Sequence, residues 1–328
     1  MRVLFIGGTG VISGACARLA IARGLDVTLL TRGHSDPPEG AESLSGDIRD
    51  PSSVRAALGR RTFDAVVDWV AYEPAHVETD LDLFRERTAQ YIFIGTASAY
   101  ETPPSHLPIT EATPLANPLW AYSRAKIACE ARLWQAAGEE NFPVTVVRPS
   151  HTYDATRLPF SAGYTIVDRM RRGAPVIVHG DGTSLWTLTH ADDVAVGLVG
   201  LLGLPAALGE AFHITSSEWL TWTAIYETVA RAAGVEAPRL VPLSSATIAA
   251  HDPEHGPSLL GDKAQSRIFD TAKIRAAVPD FSPRILFAEG AAQVLAWHDA
   301  DPTRRGVDPA ADRMQDVLVA AAERAQPR

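Results

Sequence analysis

The stretch RVLFIGGTGVISG, residues 2–14, decides the fold class. It begins with an apolar run over 2–6, which is typical of a buried strand, and passes through glycines into helical spacing from Val11. Glycine permits a tight turn, and the first N–H groups of the following helix have no intrahelical partner. Because a helix start also carries partial positive charge, the stretch predicts a pyrophosphate-binding turn.

The glycine turn departs from the commonest dinucleotide pattern. Gly7 and Gly10 are three residues apart rather than two, and Ser13 stands where a third glycine is expected. Its place directly after an N-terminal strand nevertheless favours ligand binding over a purely structural turn. The residues expected to hold the pyrophosphate are Gly7, Thr9, Gly10, Val11 and Ile12.

Strand-like and helix-like segments alternate through the first half of the chain. This alternation predicts an α/β fold, a doubly wound parallel sheet of the Rossmann type with helices on both faces. The predicted strands cover 2–6, 26–30, 65–70, 91–94 and 144–147, and the predicted helices cover 11–23, 51–58, 75–87 and 120–137, the last ended by Gly138.

The second half is more irregular. Proline and glycine become denser over 157–182, while helical patterns continue at 192–202, 221–233, 287–299 and 309–324. We therefore expect a dinucleotide-binding domain over 1–154 and a smaller, discontinuous α/β substrate lobe formed mainly by 155–328. The segments 190–202 and 211–214 resemble additions to the first sheet, so the domain is expected to regain residues near 187–215.

Composition excludes several classes of protein. The chain has 30 basic and 39 acidic residues, a net charge of −9, which argues against a nucleic-acid partner because phosphate backbones attract Lys and Arg. Two cysteines, Cys16 and Cys129, are too few for a disulfide framework. No signal-like or membrane-spanning apolar run is evident. We expect a cytoplasmic protein with no membrane partner.

The end of the second predicted strand bears on the choice of cofactor. An acidic residue there would accept a hydrogen bond from the ribose 2′-hydroxyl of NAD, whereas a basic residue favours the 2′-phosphate of NADP. The run is Leu30-Thr31-Arg32-Gly33, which contains no acid. The cofactor is therefore NAD or NADP, with Arg32 favouring NADP. The alternative, that Arg32 stacks on adenine or faces solvent, stays open.

A tyrosine and a lysine stand four residues apart on the longest predicted helix, at Tyr122 and Lys126. This spacing places both side chains on one helix face. Because free tyrosine has a pKa near 10, a phenolate base needs about three pH units of stabilisation, which a lysine and a cationic nicotinamide supply in a desolvated cleft. Thr96 and Ser98 follow the strand over 91–94, where ligands bind, and are expected to bond the same substrate oxygen.

Six motifs between residues 7 and 194 together indicate one family. They are GGTG at 7–10, GDIRD at 46–50, TASAY at 96–100, YSRAK at 122–126, RPSHTY at 148–153 and HADDV at 190–194. With these motifs the chain resembles an extended, atypical short-chain dehydrogenase/reductase of the NAD-dependent epimerase/dehydratase family. The resemblance implies that Thr96 is the catalytic hydroxyl and Tyr122 the general acid/base. It also implies that Lys126 holds the cofactor ribose and lowers the Tyr122 pKa.

The resemblance implies further cofactor contacts and an assembly. Asp47 and Ile48 correspond to adenine contacts, and the turn containing Pro149 and Tyr153 corresponds to the strip beside the nicotinamide. A homodimer formed through two helices of the first domain is also implied. Ser98 and His151 are added as candidate substrate contacts.

Two departures narrow the function. Sugar-nucleotide 4,6-dehydratases of this family place an Asp-Glu pair after the catalytic threonine, but Ala97 and Ser98 stand here, which puts that dehydration in doubt. A related branch contains chloroplast RNA-binding proteins. The intact set of Thr96, Tyr122 and Lys126, together with the acidic charge, argues against that role.

These observations lead to one expected function and two alternatives. We expect an epimerase or dehydratase that acts on a sugar nucleotide, nucleoside or related polyol through a transient ketone and regenerates its cofactor, for which tightly bound NAD+ is suited. One alternative is an NADPH-dependent ketone reductase. The other is a non-catalytic, cofactor-binding regulatory or RNA-associated protein.

Other candidate residues have weaker patterns. Lys263 and Arg267 are expected either to clamp a substrate phosphate or to form a solvated charged face. His190 is placed to cap a helix. Pro253 between His251 and His255 disfavours a helical metal site, so we expect a solvated loop and no metal. Three tryptophans are expected in the core of the lobe, namely Trp186, Trp219 and Trp222.

Overall fold

A computed structural model describes residues 1–34 and 36–325 of the chain. Within these residues, seven strands form one parallel sheet and six more form three two-stranded pairs. The strands are β1 (Arg2–Ile6), β2 (Asp26–Thr31), β3 (Glu42–Ser45), β4 (Ala65–Asp68), β5 (Tyr91–Ile94), β6 (Val144–Pro149), β7 (His151–Tyr153), β8 (Val176–His179), β9 (Leu185–Trp186), β10 (Leu188–His190), β11 (Glu210–Ile214), β12 (Leu220–Thr221) and β13 (Leu240–Leu243).

Helices connect the strands. They are α1 (Val11–Ala22), α2 (Pro51–Leu58), α3 (Pro74–Phe84), α4 (Ala121–Glu140), α5 (Tyr164–Arg171), α6 (Ala191–Leu201), α7 (Trp222–Ala232), α8 (Ser245–His251), α9 (Gly256–Ser258), α10 (Ala272–Ala277), α11 (Phe287–Asp299) and α12 (Pro309–Ala325). Single 3₁₀ turns lie at Ala97–Ala99, Pro205–Ala207 and Pro302–Arg304, and a π-helical turn lies at Leu259–Lys263.

The large sheet has the strand order β11-β6-β5-β4-β1-β2-β3. Its inner strands are apolar on both faces, as in YIFI of β5, so both faces must be covered. Helices α1 and α6 pack on one face, and α2, α3 and α4 pack on the other. The prediction of a doubly wound parallel sheet is confirmed.

Local chemistry sets the helix ends. Asp50 accepts hydrogen bonds from two backbone N–H groups at the start of α2, which begins with proline. The His190 side chain accepts from the Asp192 amide and caps α6, as expected. Helix α4 passes through Gly138, where we expected it to stop, and ends before Asn141, whose φ of 54° is left-handed. An αL residue ends this helix, whereas the glycine is accommodated inside it.

The sequence patterns did not predict one strand of the sheet. Strand β3 has the sequence ESLS, is largely exposed, and lies at the sheet edge beside β2. An exposed edge strand needs no alternation of apolar residues, so the sequence carries no pattern for it.

The remaining elements form a second core. Strands β8 and β13 pair, as do β9 and β12, and α5, α7 and α11 enclose aromatic side chains between them. Phe160 stacks on Tyr226 with ring centroids 4.6 Å apart, and Trp186 lies 5.4 Å from Trp222. Trp219, expected in this core, is 54% exposed instead, because it lies in the turn before β12.

Late segments return to the first sheet. Strand β11 pairs in parallel with β6, and the buried Gln90 side chain donates to Leu201 O and accepts from the Gly203 amide beyond α6. Strand β11 and helix α6 therefore lie on this sheet. The division into two domains, with its boundary at residue 154 and its additions near 187–215, stays a prediction.

No helix among the described residues is long and apolar enough to span a membrane. Both cysteines are free and buried.

Candidate functional site

The glycine turn between β1 and α1 has the backbone shape that its sequence predicts. Gly7 and Gly8 have φ values of +97° and +121°, a region that side-chain-bearing residues rarely adopt. A Cβ on Gly8 would lie 2.6 Å from the Leu29 side chain. The turn therefore needs glycine for both its conformation and its packing.

The start of α1 is open for a ligand. A Cβ on Gly10 would meet only the Ser13 Oγ within 4 Å, at 3.3 Å. That serine hydroxyl accepts the Gly10 N–H at 2.9 Å, so Ser13, in the place of the third glycine, closes the turn internally. Thr9 is exposed and Val11 is half-buried. A side chain at Gly10 would fill this cradle, whose free N–H groups fit a pyrophosphate.

The residues expected near the adenosine half lie on the same edge of the sheet. Arg32 is exposed directly after β2 and has no acidic partner among the described residues. Asp47 accepts from the Arg49 amide at 2.9 Å, and Ile48 is 8% exposed. All three follow strand ends, which is where a dinucleotide lies across a parallel sheet.

The hydroxyl groups expected at the active site form one connected row. Thr96 Oγ1 lies 2.9 Å from Ser98 Oγ, which lies 2.8 Å from Ser123 Oγ. The Thr96 hydroxyl is also close enough to the Tyr122 phenol to lower its pKa. The turn after β5 and the start of α4 are thereby joined at the predicted catalytic residues.

Lys126 lies one helical turn beyond Tyr122 and is buried. Its ammonium donates to Ala71 O at 2.6 Å and to Ile94 O at 2.8 Å. It also lies 4.7 Å from the Tyr72 ring centroid and 6.0 Å from that of Tyr122. Two of the three N–H donors of the ammonium are thus bonded to carbonyl groups that follow or end neighbouring strands. These bonds hold the ammonium beside the Tyr122 phenol.

Burial dominates the pKa values of this pair. It raises the pKa of Tyr122 to about 12, although the nearby Thr96 hydroxyl opposes the change. It lowers the pKa of Lys126 to about 8, with Asp68 opposing. The Tyr122 pKa is therefore raised in the protein alone, and the lowering expected from Lys126 stays a prediction for the site with its cofactor.

A cavity of about 750 Å³ opens in front of these groups. It lies between the sheet and the second core. Its wall combines two of the predicted catalytic residues, Thr96 and Tyr122, with aromatic and polar groups from both sides. The lining includes Thr96, Ser98, Trp120, Tyr122, Pro149, His151, Arg157, Phe160, Tyr164, Trp186, Asp262, Lys263, Arg267 and Phe269.

The two cations predicted near the substrate differ in placement. Lys263 is half-buried, lines the cavity, and lies 6.0 Å from the Trp120 ring centroid. Arg267 is only 2% exposed, so the solvated-face interpretation is wrong. Its guanidinium donates to Thr102 Oγ1 at 2.5 Å and to Glu101 O at 3.3 Å. Arg267 thus anchors the loop at 101–102 and the π-helical turn at Gly261, and most of its N–H donors are already bonded within the protein.

Of the residues predicted to contact cofactor or substrate from β6 and the segment after it, two line the cavity and one does not. His151 lines the cavity and its Nδ1 accepts from Trp186 Nε1 at 3.1 Å, while burial lowers its pKa to about 3. The ring is therefore neutral, with its proton on Nε2. Pro149 also lines the cavity. Tyr153 does not, because β7 turns its ring into the second core against Phe287, so its predicted cofactor contact lacks support in this placement.

Sequence reasoning missed three residues of the site. Asn117 Nδ2 donates to Ser98 O at 2.7 Å and to Gly261 O at 2.6 Å, which fixes the catalytic turn against the π-helical turn. Its Oδ1 accepts the Trp120 amide at the start of α4. The Asn-Pro dipeptide before a helix signals such a cap. Arg157 and Trp120 carry no comparable local signal.

Glu130 and Arg148 form a buried ion pair behind the site. Their closest atoms are 2.6 Å apart, with side chains 1% and 4% exposed. Arg148 Nη1 also donates to the Tyr100 hydroxyl at 3.2 Å. The pair joins α4 to β6 and holds the helix that carries Tyr122 and Lys126.

The glycine turn, the parallel sheet and the Thr-Tyr-Lys set together define a Rossmann protein of the short-chain dehydrogenase/reductase type. The sequence profile of the NAD dependent epimerase/dehydratase family matches residues 3–215. The chain belongs to this family.

Two curated relatives are similar over about 70% of the chain. One is 2'-dehydrokanamycin reductase of Streptomyces kanamyceticus, 28% identical over 242 residues, 71% of this chain and 67% of that protein. The other is the chloroplast stem-loop binding protein of 41 kDa b of Arabidopsis thaliana, 27% identical over 73% of this chain and 65% of that protein. The chain thus spans about two thirds of each relative.

Solved structures agree in fold. UDP-glucose 4-epimerase from Bifidobacterium longum, in complex with NAD+ and UDP, superposes with a TM-score of 0.73 at 18% identity, covering 93% of this chain and all of that one. The dTDP-glucose 4,6-dehydratase from Bacillus anthracis, in complex with NAD, gives 0.75 at 17%, covering 92% and 98%. At these identities the likeness shows the fold alone.

Proposed function

We propose that this protein oxidises a hydroxyl group of a phosphate-bearing sugar or related polyol to a transient ketone and then reduces it again. The proposal makes it an epimerase-type enzyme in which NAD or NADP is regenerated. The observation that carries it is the assembled set of Thr96 and Tyr122 at the wall of the 750 Å³ cavity, with the buried Lys126 ammonium 6.0 Å from the Tyr122 ring centroid.

Tyr122 exchanges the proton of the substrate hydroxyl. Thr96 lines the same cavity as the phenol and is placed to orient the same oxygen. Because burial raises the Tyr122 pKa to about 12, positive charge at the occupied site is needed for the phenolate to form. A dinucleotide bound over the glycine turn supplies the acceptor and later donor of hydride. Lys126, held by two carbonyls, keeps a cation beside the phenol.

Charge in the cavity favours an anionic substrate. Arg157 and Lys263 line it without an acidic partner among the described residues, while Asp262 is 3.7 Å from the buried Arg267. A chain of net charge −9 thus presents two unpaired cations at this cavity. A phosphate or diphosphate suits such a site, and a polycation such as an aminoglycoside does not.

Asp262 is the candidate for a second proton-transfer group. It lies on the π-helical turn, lines the cavity, and is close enough to Tyr122 to raise its pKa. Burial raises the pKa of Asp262 itself, which suits a general acid. Ala97 and Ser98 replace the usual acid pair, so a dehydration would require Asp262. Epimerisation requires no such group and is the preferred reaction.

Mass spectrometry of small molecules released from the purified protein tests the first part. We expect NAD or NADP, with a sugar nucleotide as the trapped ligand. Incubation with a panel of sugar nucleotides tests the second part, and product should form without net change in cofactor absorbance. A protein that binds neither dinucleotide would contradict the proposal.

A ketone reductase is the second candidate. It is favoured by the similarity to 2'-dehydrokanamycin reductase and to the dTDP-4-keto-6-deoxy-D-glucose reductase of Streptomyces niveus, 24% identical over 77% of this chain and 88% of that protein. Oxidation of one NADPH for each product molecule would establish it. The similarity to a stem-loop binding protein keeps the RNA-associated alternative testable. Absence of RNA binding together with turnover would remove it.

Two further expectations remain proposals. Arg32 is proposed to favour NADP by contacting the 2′-phosphate, and its exposure after β2 supports this. A homodimer through helices of the first domain is proposed from the family resemblance. Sedimentation of the purified protein tests the dimer directly.

A further inference from the structure

A buried acidic pair lies directly behind Lys126. Asp68 ends β4 and Asp80 lies on α3, and their side chains are 1% and 0% exposed. The Tyr91 hydroxyl lies between them, 2.7 Å from Asp80 Oδ2 and 3.4 Å from Asp68 Oδ2. Two buried carboxyl groups around one hydroxyl call for an explanation, because two adjacent buried negative charges repel strongly.

The two carboxyl groups have different partners. Asp68 Oδ1 accepts the amide N–H groups of Val70 and Ala71, the latter at 2.9 Å. Backbone donors of this kind stabilise an ionised carboxylate. Asp80 accepts only the Tyr91 hydroxyl, and its Oδ1 is buried without a partner among the described residues. An unpartnered oxygen costs less on a neutral carboxylic acid than on a carboxylate.

One residue, Ala71, joins the pair to Lys126. Ala71 donates its N–H to Asp68 and accepts the Lys126 ammonium on its carbonyl at 2.6 Å. A carboxylate and a cation therefore lie on either side of a single residue, and the backbone of Ala71 fixes both.

The other charged groups near Lys126 are already neutralised or neutral. Glu130 is paired with Arg148 at 2.6 Å. Burial raises the pKa of Cys129 to about 11 and that of Tyr122 to about 12, so both are uncharged at neutral pH. Tyr72 contributes only its ring face.

A second cation, Arg49, is close enough to the pair to oppose the rise in the Asp80 pKa. The Arg49 guanidinium donates to Val70 O at 2.6 Å, and His76 accepts the amides of Tyr72 and Glu73. Burial lowers the His76 pKa, which keeps that ring neutral. Among the groups facing Lys126, Asp68 is thus the carboxylate without a salt-bridge partner of its own.

We propose that Asp68 is the buried counter-ion of Lys126, and that Asp80 holds a proton and fixes Asp68 through the Tyr91 hydroxyl. Asp68, Asp80 and Tyr91 are then positioning residues that carry one net negative charge for one catalytic cation. Burial and the Asp68 charge raise the pKa of Asp80, in agreement with a neutral acid there. The role assigned to Lys126 rests on the proposed function, but the charge state of the trio does not.

The composition makes a direct test practical. The chain contains three lysines, Lys126, Lys263 and Lys273, so a lysine-selective ¹³C label gives three side-chain signals. The Lys126 signal is identified by its loss in Lys126→Arg. In the wild-type protein without ligand, we expect it to titrate with a midpoint of about 8.

Two isosteric variants separate the two aspartates. Asp68→Asn removes the counter-ion, so the Lys126 midpoint should fall by about one pH unit or more. Asp80→Asn replaces one neutral group by another, so the midpoint should stay within about 0.3 units. The reverse order, or equal shifts in both variants, would overturn the proposal.

Infrared spectroscopy gives an independent readout if Asp68→Asn does not fold. The wild-type protein at pH 8 should show the carbonyl stretch of protonated, buried carboxyl groups, and Asp80→Asn should remove the part that Asp80 contributes, whatever Asp262 contributes. A wild-type spectrum without such a band, or one that Asp80→Asn leaves unchanged, would show that Asp80 is not the protonated acid. Neither measurement uses turnover. A failure here is therefore distinct from a failure to find any substrate, which would count against the proposed function.

Discussion

The two cores of this protein use different chemistry for the same purpose. The sheet core is mainly aliphatic, and the proposed catalytic groups meet at its strand ends: Thr96 follows β5, and the Lys126 ammonium reaches Ile94 O from α4. The second core is rich in aromatic side chains, and ion pairs join its helix α5 to α12. Arg169, 1% exposed, bonds Asp316 at 2.6 Å and also contacts Asp312. Strand ends place groups precisely because the whole sheet fixes them. Walls of aromatic rings and long charged side chains can accommodate substrates of different shapes.

This difference between the two cores predicts that the chemical reaction and the choice of substrate depend on different parts of the molecule. The groups proposed for proton transfer and cofactor binding lie mainly on the sheet and its helices, whereas Arg157 and Lys263, the cations proposed for the substrate, lie in a loop and in the π-helical turn next to the second core, beside Leu158 and His179. Substitutions on the sheet should therefore affect every substrate alike. Substitutions in the second core should affect one class of substrate. Four experiments can contradict or refine that division.

Gly10→Val should have the largest effect. The added side chain fills the cradle in front of α1, where a Cβ on Gly10 meets only Ser13 Oγ, so both dinucleotides should fail to bind while the fold is retained. Titration monitored by fluorescence or calorimetry measures this loss. Gly138→Val is the control, since a Cβ there meets nothing within 4 Å. Unchanged titration of Gly10→Val would place the cofactor elsewhere.

Tyr122→Phe should reduce turnover by at least about 100-fold, the usual contribution of general acid–base catalysis, for any substrate. Cofactor affinity should barely change, because the phenol acts on the substrate. Tyr72→Phe is the matched control, a ring 6.4 Å from that of Tyr122 and 44% exposed. Steady-state kinetics and cofactor titration of both variants measure the contrast. Near-normal activity of Tyr122→Phe would remove it from the catalytic set.

Arg32→Ala should weaken NADP binding relative to NAD binding by about 1–3 kcal/mol, the range for a lost charge-assisted contact. Arg23→Ala, an exposed arginine at the end of α1, serves as the control. Competitive titration with both dinucleotides gives the ratio. Equal weakening of the two would show that Arg32 does not contact the 2′-phosphate.

Lys263→Ala should have the smallest effect and the most selective one. Loss of a half-buried cation should raise KM for phosphate-bearing substrates by about tenfold or less, with kcat nearly unchanged. Lys273→Ala, which breaks a surface pair with Glu210, should change neither. A fall in kcat for Lys263→Ala would mean that the second core takes part in the reaction itself.

The strands and helices of the sheet core were largely predictable because their patterns are local. Strands β1 and β5 were predicted to the residue, since each is a short apolar run next to glycine or a polar turn. Strand β3 was not, because an exposed edge imposes no pattern. The end of α4 was misplaced by a few residues, because tertiary packing accommodates Gly138 inside the helix.

The site was only partly predictable, for a different reason. Thr96, Tyr122 and Lys126 stand in recognisable spacings, and the fold brings them together. Arg157 and Trp120 reach the cavity through long-range packing that no local pattern encodes, and the Asn-Pro dipeptide at Asn117 signals a cap but not its contacts with Ser98 and Gly261. Burial is likewise invisible in the sequence, and it decided that Arg267 is an anchor and that the Tyr122 pKa rises.

Strand β11 has a consequence for how this molecule can be divided. It covers the edge of β6, with the Gly209 amide bonded to Val144 O at 2.7 Å, yet it comes from beyond residue 200. A gene fragment that stops at residue 154 would therefore produce a sheet with an open, apolar edge and with α6 missing from α1. Such an edge recruits other chains. Residues 1–154 are therefore not a transferable module, because their sheet and helix α1 need a strand and a helix from later in the chain.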